Sequence, residues 1–395
     1  MERVLLELTM DNWEKRRERG GRMKKHFVRV LLIMASAMTI GGCASKAGTD
    51  TAGENVQTKE EVSEEFVDFT IEVEKGRDVR VLQLTDTEII DSTQKRTEDR
   101  LVGLQYTMWQ PQNMDMRCFK HIREAIKRAD PDFIILTGDF VYGEFDDNGT
   151  SLEALIKYMD SFEIPWSPVF GDLERESAKG ADWQCEQLEK SEYCYFKRGN
   201  TDGDGNYSVG IKQGDEYVRV FYMIDGNTEF TEKRMDWLYD KMTAFDEKMD
   251  GKVVNASLCY HHPTTQAVLA STKYADKRIP YTINENVKGD EGDFGSQFGE
   301  IGGLPVPDTH GMDFVELLHK FHVDSVFMGH FHEANTSINY EGIRWTFGLK
   351  SSEYGIYEEK LLGGTQITFN KTELNVEHLY ADTEYEEYLK NMDYY

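Results

Sequence analysis

The segment Val323–His332, with the sequence VDSVFMGHFH, is the stretch around which this chain is organised. Its apolar and β-branched residues predict a short buried strand, and the glycine that follows them permits a tight turn. On an extended backbone alternate side chains point the same way, so His330 and His332 would share one side of the strand end. A strand that ends in Gly-His-x-His is well suited to a metal site. The alternative is that the two histidines simply lie near each other.

Other predicted strands end in side chains of the same kind. The run Val79–Leu84 leads into Asp86 and Glu88, and the unbroken apolar run Phe133–Thr137 leads into Asp139. Two further strands follow this pattern: 166–170 before Asp172, and 253–260 before His261. Ligands at strand carboxyl ends converge on a crevice above an α/β sheet. A mixed set of histidines and carboxylates that can bridge two ions suits two-metal hydrolysis of phosphoesters.

Strands and helices alternate along the first half of the chain, which indicates an α/β core. Helices are predicted over 116–129 and 151–162, and the stretch 263–307 is predicted to be a long Gly-rich loop. The remaining predicted strands are 67–73, 207–211, 218–224, 336–340, 343–347, 365–369 and 374–379, and the last four are expected to be antiparallel. The acidic end from Asp382 is expected to be a surface helix or tail.

Five blocks of sequence carry a resemblance to a known family. In chain order they are Asp86-x-Glu88, Gly138-Asp139, Gly171-Asp172, His261-x-Pro263 and Gly329-His330-x-His332, and this order is similar to that of the calcineurin-like metallophosphoesterases. The segment Phe327–Gly348, which leads into Leu349 and Lys350, resembles the secreted branch related to purple acid phosphatases. The resemblance covers about residues 78–380. It implies an α/β fold, a four-layer α/β/β/α sandwich of two mixed sheets.

The resemblance also implies the roles of the site residues. The first metal ion would be held by Asp86, Glu88, Asp139 and His332, and the second by Asp139 as a bridge, Asp172, His261 and His330. Asp139, His261 and His330 are the expected catalytic residues. The expected reaction is hydrolysis of phosphate mono- or diesters by attack of a metal-bound hydroxide at a dinuclear centre. The expected substrate is a small phosphoester or a phosphorylated surface molecule.

Two ligand positions depart from the family pattern. Glu88 stands in place of a histidine and Asp172 in place of an asparagine. Oxygen ligands favour hard ions, so two divalent or mixed-valence ions are expected, with Mn, Fe, Mg or Ca preferred over Zn. Four carboxylates in place of two would lower the charge of the loaded centre from about +2 to about neutral, which weakens its attraction for phosphate.

A third departure from the family pattern concerns the residue expected to act as the general acid. Leu173 replaces the family histidine that contacts the phosphoryl group, so Glu174 loses the partner that it would orient. His262 and His310 are possible replacements, although His262 is expected to point away from His261 because neighbouring residues on a strand face opposite ways. Tyr142 is either a metal-bound tyrosinate or an ordinary aromatic residue. The alternative function is therefore a degenerate, weak or inactive member that serves as a surface binding lipoprotein.

Composition excludes one class of partner. The formal net charge is −27 over 395 residues, and residues 1–43 hold nine Lys/Arg against five Asp/Glu, so the remainder carries −31. This field repels polyanions, and no basic stripe is available for a phosphate backbone. Nucleic-acid binding is not expected.

The N-terminal region is predicted to be a targeting signal. Lys24, Lys25 and Arg29 precede the apolar run Val30–Ile40, which ends at Gly-Gly-Cys43. This resembles a bacterial lipoprotein signal, with Met23 as the expected start and Cys43 lipidated; the alternative is an uncleaved amphipathic anchor. The predicted divisions are 1–43 as extension and signal, 44–64 as a flexible acidic tether, 65–381 as the phosphoesterase domain and 382–395 as the tail. The protein is expected to be an exported monomer, lipid-anchored on the outer face of the cytoplasmic membrane or the cell surface.

Four further cysteines remain in the exported part of the chain. Cys185 and Cys194 are the only close pair among them, and an oxidising compartment permits a disulfide. Spacing alone does not give the geometry, so both the bridged and the unbridged states stay open.

Overall fold

Two β-sheets form the centre of the computed structural model, which describes residues 66–90, 114–226, 230–274, 287–288, 294–295 and 303–390. One sheet has five strands in the order β14-β13-β2-β3-β4, and the other has seven in the order β1-β5-β6-β7-β10-β12-β11. A short hairpin pairs β8 with β9. The strands are β1 (Phe69–Glu72), β2 (Val79–Leu84), β3 (Phe133–Thr137), β4 (Trp166–Val169), β5 (Tyr207–Gln213), β6 (Glu216–Met223), β7 (Ala256–Cys259), β8 (Val287–Lys288), β9 (Phe294–Gly295), β10 (Val323–Met328), β11 (Ser337–Tyr340), β12 (Ile343–Phe347), β13 (Gly363–Phe369) and β14 (Leu374–Tyr380).

The facing sides of the two sheets bury a shared apolar core. The ring of Phe133 in β3 lies 5.6 Å from that of Phe221 in β6, and Phe221 lies 6.0 Å from Phe369 in β13. Residues of β3 are buried on both faces, which explains their unbroken apolar run. The two sheets thus form the inner layers of the sandwich.

Helices cover the outer faces of both sheets. Helix α1 packs on β2 and β13, and Leu238 of α4 and Leu317 of α6 join the core on the outer side of β7. The helices are α1 (Met114–Ala129), α2 (Thr150–Asp160), α3 (Gly180–Lys190), α4 (Glu232–Met249), α5 (Thr265–Tyr274), α6 (Phe314–Lys320) and α7 (Thr383–Lys390). The resulting α/β/β/α sandwich of two mixed sheets confirms the predicted fold class.

Most predicted elements of the described chain are present. Strands β2, β3 and β12 have the predicted bounds, and the predicted helices 116–129 and 151–162 correspond to α1 and α2. The predicted loop 263–307 is wrong in part, because helix α5 begins two residues after its start. The four last strands form the expected antiparallel pairs, β11 with β12 and β13 with β14, and the two pairs lie in different sheets.

Two further sequence predictions bear on the chain as a whole. Cys185 and Cys194 are both buried, and no disulfide joins them. The targeting signal 1–43 and the tether 44–64 lie outside the described residues, which all belong to one compact unit within Val56–Tyr395. No helix among the described residues is long and apolar enough to cross a membrane. The predicted domain boundaries remain predictions.

Candidate metal centre

The carboxyl ends of five strands meet at one edge of the sandwich. Strands β2, β3 and β4 run parallel in one sheet, and β7 and β10 run parallel in the other. Each delivers predicted site residues as it ends: Asp86 and Glu88 after β2, Asp139 after β3, Asp172 after β4, His261 after β7, and His330 and His332 after β10. Backbone hydrogen bonds join the loops, since Asp86 N–H donates to Gly138 O at 3.0 Å and Gly329 N–H donates to His261 O at 3.1 Å.

Four of these residues have a left-handed backbone conformation. The φ angles are +50° for Asp86, +43° for Glu88, +48° for Asp139 and +74° for His330. L-residues other than glycine rarely adopt this conformation, and such strain concentrates at functional sites. It also corrects one prediction: because His330 is not extended, His330 and His332 do not share one side of the strand but enter different clusters.

Glycines allow the loops to approach closely. A Cβ atom on Gly138, whose φ is +91°, would lie 2.4 Å from the His261 ring. A Cβ atom on Gly171 would lie 2.2 Å from Asp139 Oδ1. Glycine is therefore needed at both positions because a larger residue would collide with the site, and not only because the chain turns there.

The first cluster contains Asp86, Glu88, Asp139 and His332. Their potential ligand atoms lie within 4.8 Å of one another. His332 Nε2 lies 3.2 Å from Asp86 Oδ1 and 3.1 Å from Glu88 Oε1, and its Nδ1–H donates to the Ile356 carbonyl at 2.8 Å. These four residues are the predicted first ligand set.

The second cluster differs from the predicted set. It contains Asp172, His262 and His330, again with ligand atoms within 4.8 Å of one another. The rings of His262 and His330 lie 4.1 Å apart, and His330 Nδ1 lies 3.4 Å from Asp172 Oδ2. The prediction that His262 points away from the site is wrong, because the chain turns at the end of β7 and is no longer extended there.

His261 lies between the two clusters. It is fully buried, with Nε2 3.3 Å from Asp139 Oδ2 and its ring centroid 5.3 Å from that of His330. Nδ1–H donates to the Thr137 carbonyl at 2.8 Å, which leaves Nε2 as the atom that faces the site. Asp139, a member of the first cluster, is therefore the residue of that cluster that contacts His261, and its bridging role remains a prediction.

Burial and neighbouring charges shift the pKa values of these groups in opposite directions. Burial opposes ionisation of Asp86 and Asp139, yet His332 and His261 respectively hold the pKa of each below its usual range. Burial raises the pKa of Glu88 despite the charge of Lys350, and it raises the pKa of Asp172 to about 6. Burial, with the charge of His261, lowers the pKa of His330 to about 3. His330 is therefore neutral, as a ligand must be.

The donor set fits divalent ions. Glu88 Oε2 in the first cluster is buried and has no hydrogen-bond partner, although a buried polar atom normally has one. His261 Nε2 is also buried, and it faces Asp139 Oδ2 at 3.3 Å. A metal ion would satisfy such atoms, and the mixture of carboxylates and imidazoles is of the kind that binds divalent cations.

Glu174 has a role that the sequence did not indicate. Its buried carboxylate accepts hydrogen bonds from Phe140 N–H at 2.5 Å, Val141 N–H at 3.2 Å and Gly171 N–H at 2.7 Å. It thereby joins the loop after β3 to the loop after β4. Leu173 donates its N–H to Asp139 Oδ1 at 2.9 Å, so the backbone of this position supports the site although its side chain cannot transfer a proton.

Two predicted alternatives lie outside the clusters. His310 stacks on Tyr239, with ring centroids 4.0 Å apart, and lies 3.7 Å from Asp236; these contacts are to α4 and not to the candidate ligands. Tyr142 stacks on Phe145 at 4.7 Å, and burial together with the charge of Glu88 raises the pKa of its hydroxyl. The structure thus favours an ordinary aromatic role for Tyr142.

Sequence reasoning missed one charged residue at the site. Lys350 is fully buried, and its Nζ lies 2.9 Å from Glu88 Oε1. The charge expected from two divalent ions and four carboxylates was about neutral and did not include this lysine. With Lys350, a centre that held both ions would carry a charge of about +1. The available signal was the lysine that follows Gly348 and Leu349 directly after β12.

An α/β/β/α sandwich with histidine and carboxylate clusters at its strand ends defines a class of protein built to bind metal ions. The model of one family, described as calcineurin-like phosphoesterase, matches residues 79–334, which is more than half of the chain. The chain belongs to this family.

Solved structures with a similar fold share little sequence with the chain. GAP50, described as the anchor in the inner membrane complex of Plasmodium, is 12% identical with a TM-score of 0.45, over 78% of this chain and 86% of that one. A dimetal phosphatase from Danio rerio is 11% identical with a TM-score of 0.40, over 76% and 99%. The purple acid phosphatase PPD1 from yellow lupin is 12% identical with a TM-score of 0.40, over 81% and 53%. No curated protein sequence matches the chain.

Proposed function

We propose that this protein hydrolyses phosphate mono- or diesters with the help of two divalent metal ions. The observation that carries the proposal is the pair of clusters of potential ligand atoms, together with the buried Glu88 Oε2, which has no hydrogen-bond partner. Membership of the calcineurin-like phosphoesterase family supports the reaction class.

The chain supplies ligands, orientation and charge. Asp86, Glu88, Asp139 and His332 would hold the first ion, and Asp172, His262 and His330, with His261 and Asp139 at its border, would hold the second. When bound, the ions supply Lewis-acid activation of water and neutralise the phosphate charge. Mn, Fe, Mg or Ca suits the carboxylate-rich first cluster better than Zn does.

Leu173 leaves this site without the acid expected at that position. A positioned acid contributes ~10²–10⁴ in rate when the leaving group needs a proton. Burial, with the charge of His261, lowers the pKa of His262 to about 4, so a protonated His262 is scarce at neutral pH. Aryl phosphates, whose leaving oxygen needs no acid, are therefore the expected substrates.

Location is part of the proposal. The signal-like sequence that ends at Cys43 supports export and lipid anchoring on the outer face of the cytoplasmic membrane or the cell surface. A small phosphoester or a phosphorylated surface molecule would be the substrate there, and a monomer is sufficient because one chain supplies both clusters.

A second candidate function is that of a surface binding protein with weak or no activity. The ammonium group of Lys350 at the first cluster and the leucine at position 173 favour it. Under this alternative the fold and part of the metal centre serve recognition.

Activity of the full chain tests the proposal. The metal-stripped protein is assayed with p-nitrophenyl phosphate and bis-p-nitrophenyl phosphate before and after addition of Mn²⁺. We expect turnover that requires Mn²⁺ and falls at least about 10²-fold in Asp139→Asn, because Asp139 borders both ligand sets. Metal binding without turnover on either substrate would support the binding protein, and absence of both would contradict the proposed function.

A further inference from the structure

Lys350 is the buried cation of the site. Its side chain is fully buried, and Nζ donates to the Asp86 carbonyl at 2.9 Å and contacts Glu88 Oε1 at 2.9 Å. A lysine is almost never fully buried unless it is paired. The pair is therefore a feature of the folded site and not a surface ion pair.

Backbone contacts fix the position of Lys350. The residue forms isolated bridges to Thr85 and to Leu362, and its carbonyl accepts from Gly363 N–H at 2.9 Å. The next residue, Ser351, donates its N–H to the Thr85 carbonyl at 2.9 Å. The backbone of Lys350 is thus tied to the end of β2 and the start of β13, so that its side chain begins at a fixed position beside the site.

The two oxygen atoms of the Glu88 carboxylate have different surroundings. Oε1 contacts Lys350 and His332, whereas Oε2 is buried and has no partner. An ion in the first cluster would therefore receive one oxygen from Glu88 while the other remains on the ammonium group. Lys350 holds the carboxylate in the orientation that leaves Oε2 available.

Lys350 offsets part of the negative charge of the first cluster. The first has three carboxylates, Asp86, Glu88 and Asp139, and a cation in contact with one of them. The second has one carboxylate, Asp172, beside two imidazoles. Buried charges a few ångströms apart interact strongly, so the ammonium group both stabilises the crowded carboxylates and repels a dication.

We propose that Lys350 is a positioning residue that holds Glu88 and partly replaces the charge of the first metal ion, so that this ion is bound weakly and exchanges readily. The inference rests on metal binding by the two clusters, which is part of the proposed function. The apo site then keeps its three buried carboxylates in place without metal, because one of them is always neutralised.

Metal titration of the full chain with Mn²⁺ tests this inference. We expect the wild-type protein to bind two Mn²⁺ ions with unequal affinity by calorimetry and elemental analysis. Lys350→Met keeps an unbranched chain but removes the charge, and it should tighten the weaker site at least tenfold. Its melting temperature in metal-free buffer should fall and should recover when Mn²⁺ is added. The matched control is Lys371→Met, which removes an exposed lysine paired with Glu216 and should change neither affinity.

A second variant covers the case in which Lys350→Met does not fold. Lys350→Gln keeps a donor for the Asp86 carbonyl while removing the charge, and it should tighten the weaker site in the same direction. Two Mn²⁺ affinities that are unchanged in the folded variant would overturn the role of Lys350 and leave the proposed function intact. A wild-type protein that binds no Mn²⁺ would overturn both.

Discussion

At the residue scale, Leu173 and Glu174 support the site through hydrogen bonds that involve backbone N–H groups. Glu174 would orient a histidine in the family pattern, but here its carboxylate is occupied by the N–H groups of Phe140, Val141 and Gly171. Leu173 contributes through its own N–H to Asp139. The loops are consequently well fixed, and the side chain at position 173 offers no proton donor.

Leu173→His should restore that donor. Because the backbone N–H of residue 173 is retained, the change adds an imidazole without removing the contact to Asp139. We expect at least a tenfold rise in kcat/KM on an alkyl phosphate and little change on an aryl phosphate. Leu173→Asn is the control, since it is polar but cannot act as an acid. An equal rise in both variants would mean that polarity, and not proton transfer, limits the reaction.

Part of the site could be predicted from the sequence because ligands at strand ends leave a local signal. Asp86, Asp139 and the two histidines after β10 each follow a recognisable strand. Lys350 could not be assigned in this way, because its partner Asp86 is 264 residues away and only the folded chain joins them. The left-handed turn at His330 was also hidden, since non-glycine residues rarely adopt it and no periodicity reports it.

At the element scale, the β13–β14 hairpin supports the metal-binding loop through one histidine. His378 of β14 donates from Nε2 to the Asn335 carbonyl at 2.8 Å, and its Nδ1 lies 2.9 Å from Thr365 Oγ1 on β13. Asn335 follows His332 by three residues and donates to the Tyr380 hydroxyl at 2.9 Å. The neutral imidazole satisfies both neighbours, so protonation would disturb the contact.

His378 should make the stability of the protein depend on pH. Burial lowers its pKa from the usual 6.5 to about 4, so in this window the unfolded chain binds a proton that the folded chain does not. The free energy of unfolding should therefore decrease as the pH falls from about 6.5 to about 4. In His378→Gln this part of the slope should be absent in denaturant melts at several pH values. An unchanged slope would assign the pH dependence to other groups.

Strand bounds were predicted correctly where the sequence shows one clear pattern. The apolar run of β3 and the strand β12 have the bounds that their sequences indicate. Helix α4 was missed although Thr231 caps it by accepting from Arg234 N–H, because many charged residues mask its apolar side. Helix α5 was missed because glycines later in 263–307 led to the prediction of a loop over the whole stretch.

At the scale of the whole molecule, a buried cation stands between the two sheets. Arg219 of β6 is fully buried, binds Asp324 Oδ1 at 2.6 Å and lies 4.8 Å from the ring of Phe369 in the opposite sheet. Breaking a buried pair by removal of one partner strongly destabilises a protein. The contact of Arg219 with Phe369 joins the two sheets.

The proposed location of the whole molecule rests on Cys43, which lies outside the described residues. Cys43→Ser should convert a membrane-associated protein into a soluble or unprocessed one, because acyl chains provide the anchoring energy. Detergent phase partitioning of cell fractions measures this change, with Ser45→Ala as a control that leaves the cysteine in place. Unchanged partitioning of the Cys43→Ser protein would contradict the lipid anchor.

The left-handed conformation of Asp86, Glu88, Asp139 and His330 has an evolutionary consequence. Each of these residues carries a penalty of roughly 1 kcal/mol relative to glycine, and together the penalty is on the order of 4 kcal/mol. Substitution by glycine in a lineage that no longer used the site would remove this penalty, but it would also remove the side-chain contacts of these residues. Two aspartates, a glutamate and a histidine therefore occupy positions where the backbone alone would favour glycine.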